Sequence, residues 1–130
     1  MDAALVLVFT LDAKTREWVG EQLSAIPGLT YDSAAAIEEL VDDLLEAEPP
    51  HAQILVADFD AMTAHDVLRL HAVRENGWFG VMIGLGRVST DLRRSLNVAR
   101  VLTRPFERDS LKNAIIRLGL TADDTMAVGD

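Results

Sequence analysis

Asp58 is the residue whose type and position invite chemistry. It ends the apolar run Ile54-Leu55-Val56-Ala57, and Asp60 follows two residues later. A short run without alternation suits a strand covered on both faces, as in a parallel sheet. Pro49-Pro50 upstream and Asp-x-Asp downstream favour a strand over a buried helix turn. At the carboxyl end of a central strand, Asp58 would stand where open α/β sheets place their ligands. Gly84-Leu85-Gly86 offers a second chemistry, a phosphate cradle. It lacks a third glycine and a Lys-Ser/Thr, so a turn is the expectation. His65 and His71 are six apart, on different faces of any helix, with no third ligand nearby in sequence, and are not read as a metal pair.

The chain that positions these groups has 130 residues, nearly half of them apolar. That size and composition indicate one globular domain, expected over residues 1–120, with 121–130 as a flexible tail or the start of a linker. The absence of cysteine excludes disulfides and thiolate metal sites and fits a reducing compartment. The first residues lack a basic start, and no apolar run approaches a membrane span. A cytoplasmic location is the expectation.

A net charge of −9 argues against non-specific binding of nucleic acid, and no helix-turn-helix or zinc pattern is present. The charge is uneven: residues 1–65 hold 2 basic and 13 acidic side chains, residues 66–120 hold 10 and 5. Such asymmetry predicts faces of opposite sign, unless both are simply solvated.

Strand and helix signals alternate five times. Ala4–Thr10 reads as a buried strand. Asp12 caps a helix over residues 13–26, striped by Thr15, Val19, Leu23 and Ile26, with Trp18 beside the stripe as a packing residue. Leu29-Thr30-Tyr31 is a weak strand. Ser33 is expected to open a helix reaching Ala47, with Ile37, Leu40, Val41, Leu44 and Leu45 inward and Glu38, Glu39, Asp42, Asp43 and Glu46 outward. Residues 53–57 form the third strand. Thr63 caps a helix over 64–75 that points Val67, Leu68 and His71 at the core and closes on Asn76-Gly77. Val81-Met82-Ile83 is the fourth strand, and Ser89 or Thr90 starts a short basic helix. Val101-Leu102-Thr103 is the fifth strand, with a sharp exit at Arg104-Pro105-Phe106 and a cis bond expected before Pro105. Leu111, Ala114, Ile115 and Leu118 stripe a last helix ending at Gly119. The pattern predicts a doubly wound α/β fold: five parallel strands in the order 2-1-3-4-5, helices on both faces, flavodoxin-like.

In the order and spacing of Asp12-Ala13-Lys14-Thr15-Arg16, Ile54–Asp58 and Thr103-Arg104-Pro105-Phe106, the chain resembles the receiver domain of response regulators over residues 4–120. The resemblance implies that Asp58 stands at the position of an aspartate phosphorylated by a histidine kinase. Family members hold magnesium with an acidic pair after the first strand and a carbonyl two residues past the acceptor. Asp60 matches the carbonyl position. The acidic pair falls on Thr10-Leu11, or on Leu11-Asp12 after a one-residue slip. The family's hydroxyl residue falls on Leu85, its lysine on Arg104 and its switching aromatic on Val101. Asp12, Asp58 and Asp60 make a poor magnesium set, so no metal is expected. The resemblance is therefore to a degenerate receiver, or pseudo-receiver.

Two readings of the pocket follow. Arg104 pairs with Asp58 and replaces the missing cation, or Asp58 only caps a turn while Arg104 points to solvent. The first leads to a module of a two-component-type pathway that binds a protein partner without phosphorylation, another copy of itself being one candidate. It needs no cofactor, touches no nucleic acid or membrane and is not an enzyme. The family's partner face would then carry Arg93, Arg94, Arg100, Val101, Arg108, Lys112 and Arg117. The alternatives are a working receiver phosphorylated on Asp58 with magnesium, and a small-molecule binder or enzyme on the same topology.

Overall fold

The computed structural model describes residues 4–46 and 52–118. Its strands are β1 (Ala4–Phe9), β2 (Leu29–Ala34), β3 (Ala52–Asp58), β4 (Val81–Leu85) and β5 (Val98–Leu102). Its helices are α1 (Ala13–Ser24), α2 (Ile37–Leu44), α3 (Ala64–Glu75), α4 (Thr90–Leu96) and α5 (Ser110–Arg117). The sheet is parallel throughout, in the order β2-β1-β3-β4-β5.

The period of two along each strand divides the core into two layers. Leu7, Phe9, Leu55 and Met82 face one way and pack with Ile37, Leu40, Leu70 and Leu96 of α2, α3 and α4. Val6, Val8, Ile54, Val56, Ile83 and Leu85 face the other way and pack with Val19, Leu23, Leu111 and Ile115 of α1 and α5. Both faces are covered, which is why the strands read as continuous apolar runs.

Several local expectations are corrected. Ser33 does not open a helix. It pairs with Val8 inside β2, and α2 begins at Ile37 behind Ala36, which makes no side-chain cap. Edge strand β2 is exposed at Thr30, Tyr31, Asp32 and Ser33, so polar residues there do not signal a loop. Leu45 is 38% exposed rather than inward. On α3 the buried residues are Leu70 and Val73, Leu68 is 65% exposed, and His71 and Val67 are half-buried. Gly84 and Leu85 lie inside β4, so the Gly-x-Gly is the strand's end and not a phosphate loop. Strand β5 starts at Val98 and stops before Thr103. Pro49-Pro50, Gly119 and the 121–130 tail lie outside the described residues.

The caps explain where the helices begin. Asp12 accepts from the Thr15 amide, and Thr63 and Asp66 form a reciprocal capping box on α3. Asp109 before α5 has φ 61° and caps nothing with its side chain. Buried Gln22 of α1 does so instead. Its side-chain oxygen accepts from the Lys112 amide at 3.0 Å and its side-chain nitrogen donates to Asp109 at 3.4 Å. Helices α1 and α5 are thereby tied together.

Candidate functional site

The site lies at the carboxyl ends of β1, β3 and β4. Asp58 is the last residue of β3, opposite Leu85 of β4, and Thr10 follows the end of β1. Asp58 is 1% exposed and Thr10 equally so. A buried carboxylate is costly without partners, and here both oxygens are met. The Thr10 hydroxyl donates to Oδ2 at 2.7 Å, and the Asp60 amide donates to Oδ1 at 3.2 Å, closing a short 3-10 turn over Phe59–Ala61.

Arg104 supplies the charge. Its Nη1 donates to Asp58 Oδ1 at 3.2 Å and its Nη2 to Oδ2 at 3.0 Å, a two-pronged contact that an ammonium cannot make. The same guanidinium reaches Asp60 Oδ2 at 2.6 Å and the Thr15 hydroxyl at 2.8 Å. Thr15 in turn donates to Asp12 at 2.6 Å. One arginine therefore joins three carboxylates, two directly and Asp12 through a hydroxyl. Hydrogen bonding to Asp58 and the charges of Asp58 and Asp60 hold Arg104 above its usual range, against the opposing effect of burial, so it stays protonated. The hydrogen bonds from Thr15, and more weakly Arg104 and Lys14, hold Asp12 below the usual carboxylate range. The first reading of the pocket matches the geometry: Asp58 caps its turn but also pairs with Arg104, which does not point to solvent.

The surroundings fix this arrangement. The peptide bond before Pro105 is cis. The Arg104 guanidinium carbon lies 4.9 Å from the centre of the Phe106 ring, and Phe106 stacks on half-buried Trp18 of α1 at 4.6 Å. Gly86 has φ +89°, and a Cβ there would fall 2.4 Å from the Asp60 carboxyl carbon, so only glycine leaves room for that acid. The Arg87 amide donates to Asp60 at 3.0 Å.

Of the other sequence candidates, Leu85 is fully buried and Leu11 is 57% exposed, pointing away from a ligand role. Arg93, Arg94, Arg100, Arg108 and Arg117 are exposed, with Val101 and Lys112 half-buried. Arg93 spends its guanidinium on the carbonyls of Val98 and Ala99. His65 lies 4.0 Å from Glu38 on the surface, and among the described residues no cluster of three or more His, Asp or Glu could hold a metal. Sequence reasoning missed Thr15 as the relay to Asp12 and Thr10 as a donor to Asp58. Thr15 had a local signal, three residues from Asp12, whereas Thr10 is 48 residues from Asp58 and had none.

No family model matches the sequence, and no curated protein matches it. Solved structures do match, the following at low identity. Chemotaxis protein CheY4 of Vibrio cholerae is 20% identical with a TM-score of 0.70, over 88% of this chain and 98% of that one. A response regulator receiver protein of Pseudoalteromonas atlantica is 12% identical with a TM-score of 0.71, over 88% and 95%. The receiver domain of Saccharomyces cerevisiae Ssk1, solved with the histidine phosphotransfer protein Ypd1, is 13% identical with a TM-score of 0.70, over 89% and 88%. The chain has the receiver fold.

Proposed function

We propose that the protein is a receiver-fold signalling module that binds a protein partner without phosphorylation, its acceptor-position carboxylate being closed by its own arginine. The observation that carries this reading is the fork of Arg104 on Asp58, extended to Asp60 and, through Thr15, to Asp12.

The donor chemistry supports it. Magnesium needs six oxygens in near-octahedral array, and carboxylates free to provide some of them. Both Asp58 oxygens already accept hydrogen bonds, and Asp12 is committed to Thr15 and the α1 cap. These residues as arranged do not fit the ion. At the position where the resemblance places a hydroxyl for the phosphoryl group, Leu85 supplies none. The likeness to receiver domains, one of them solved with a phosphotransfer protein, supports a signalling role and a protein partner.

Incubation with acetyl phosphate and magnesium, followed by intact-mass measurement, tests the proposal. The expected result is unmodified protein. A phosphoryl adduct that is lost in Asp58→Asn would replace this reading with that of a working receiver.

A further inference from the structure

We propose that the cavity between β5 and α5 is a socket for the acidic face of α2 in a second copy of the chain, joining copies head to tail. The inference rests on the interaction-module reading and names its partner.

The socket has a volume of about 250 Å³. Arg100, Arg108 and Arg117 line it, with Val101, Leu102 and Ala114 as its apolar part and Glu107 as its single acid. Some arginines of the fold are spent on internal partners, whereas, among the described residues, Arg69, Arg87 and Arg94 are not. Arg74, Arg93 and Arg104 each donate to carbonyls or carboxylates. Among the described residues, Arg100, Arg108 and Arg117 make no ion pair and no side-chain hydrogen bond. Three open guanidiniums gathered round one cavity suit carboxylates presented in a row.

Helix α2 presents such a row. Glu39, Asp42 and Asp43 are spaced i, i+3, i+4, which sets them side by side on the exposed surface, and the helix contains no basic residue. Burial, Glu39 and neighbouring acids push the Asp43 carboxyl above its usual range, so the row repels itself and a cationic partner relieves it. A chain with a net charge of −9 has few basic surfaces to offer, and this socket is one.

The topology sets the geometry of assembly. Helix α2 packs over β1 and β2 and against α3, at the β2 side of the sheet, whereas β5 is the opposite edge. A copy cannot fill its own socket. Two copies joined by one contact leave a free socket at one end and a free α2 at the other, so growth is open-ended unless a ring closes. Screening by salt opposes each contact.

Sedimentation across a concentration series in about 0.05 M salt tests the proposal, with a parallel series in about 0.5 M salt. The average mass should rise with concentration in the first and fall back to monomer in the second. The variant pair Arg100→Gln/Arg117→Gln removes the socket and Glu39→Gln/Asp42→Asn removes the plug. All four positions are exposed, and circular dichroism checks the folds. Each double variant alone should lose about tenfold or more in association constant. An equimolar mixture of the two should form a 1:1 heterodimer that does not grow, because one intact socket meets one intact plug. A wild-type monomer at low salt overturns the proposal, as does a closed dimer indifferent to these changes or a mixture that stays monomeric. A phosphoryl adduct on Asp58 would sink the interaction-module reading without altering these masses.

Discussion

Two arginines sit at opposite ends of the sheet and satisfy opposite needs. Arg104, at the carboxyl ends, faces carboxylates: Asp58, 1% exposed, and Asp60. Arg74, on α3 at the amino ends of β4 and β5, faces no acid. Its guanidinium donates to the carbonyls of Leu96 at 2.9 Å, Gly80 at 2.8 Å, Asn97 at 3.2 Å and Trp78 at 3.3 Å. It also lies 4.8 Å from the Trp78 ring centre. Interaction with Asp58 moves Arg104 to higher pKa, and desolvation moves Arg74 to lower pKa. The first guanidinium neutralises charge. The second ties the loops entering β4 and β5 to α3. The fold thus uses one arginine to hold its frame at the closed end and another to occupy the end where such sheets bind ligands.

The largest expected effect is at the structural end. Arg74→Ala leaves four carbonyls without their donor and removes the contact with Trp78, and should cost about 3 kcal/mol, or roughly 10 °C in Tm, by thermal denaturation. Arg74→Lys should recover little, because one ammonium cannot reach four acceptors. Arg104→Met should cost less, about 2 kcal/mol. It strands a buried carboxylate, but the arginine side chain is 34% exposed, so water can replace part of it. A loss at Arg104 equal to that at Arg74 would break the comparison.

Gly86→Ala tests the Asp60 side of the pocket and should cost about 1–2 kcal/mol in denaturant unfolding. The added methyl strains a positive φ and displaces the acid that Arg104 holds at 2.6 Å.

The smallest effect separates two acids by the sign of their pH dependence. The folded state lowers Asp12, so its contribution is present above the ordinary aspartate value and is lost as pH falls through the lower folded value. The folded state raises Asp43, so its penalty appears as pH rises through a folded value above 3.8. Asp43→Asn should therefore stabilise the protein only slightly at pH 7, because solvent screens this exposed group, and the gain should vanish below about pH 3.8. Equal gains at both pH values would contradict that account of the α2 row.

The sequence made the frame legible because both faces of the sheet are covered, so strands β1, β3 and β4 are apolar without alternation. Asp58 stood out as a charge at the end of such a run, and Arg104 as its one basic candidate beside a proline. What escaped depends on contacts between distant residues. Ser33 was expected as a cap because nothing local reveals that it pairs with Val8. The inner stripe of α3 was set two positions off, because Leu68 with His71 and Leu70 with Val73 are equally good i, i+3 spacings and only packing chooses. The role of Arg74 was invisible, since carbonyls carry no sequence signature, although its spacing of four from Trp78 was a clue.

The account stands or falls on whether Arg104 and Asp58 act as a unit, and a double-mutant cycle with Arg104→Met and Asp58→Asn in denaturant unfolding measures that directly. The prediction is that the double variant is more stable than the sum of the two single losses implies, with a coupling of about 1–2 kcal/mol. Additivity within about 0.3 kcal/mol would show that Arg104 does not hold the carboxylate.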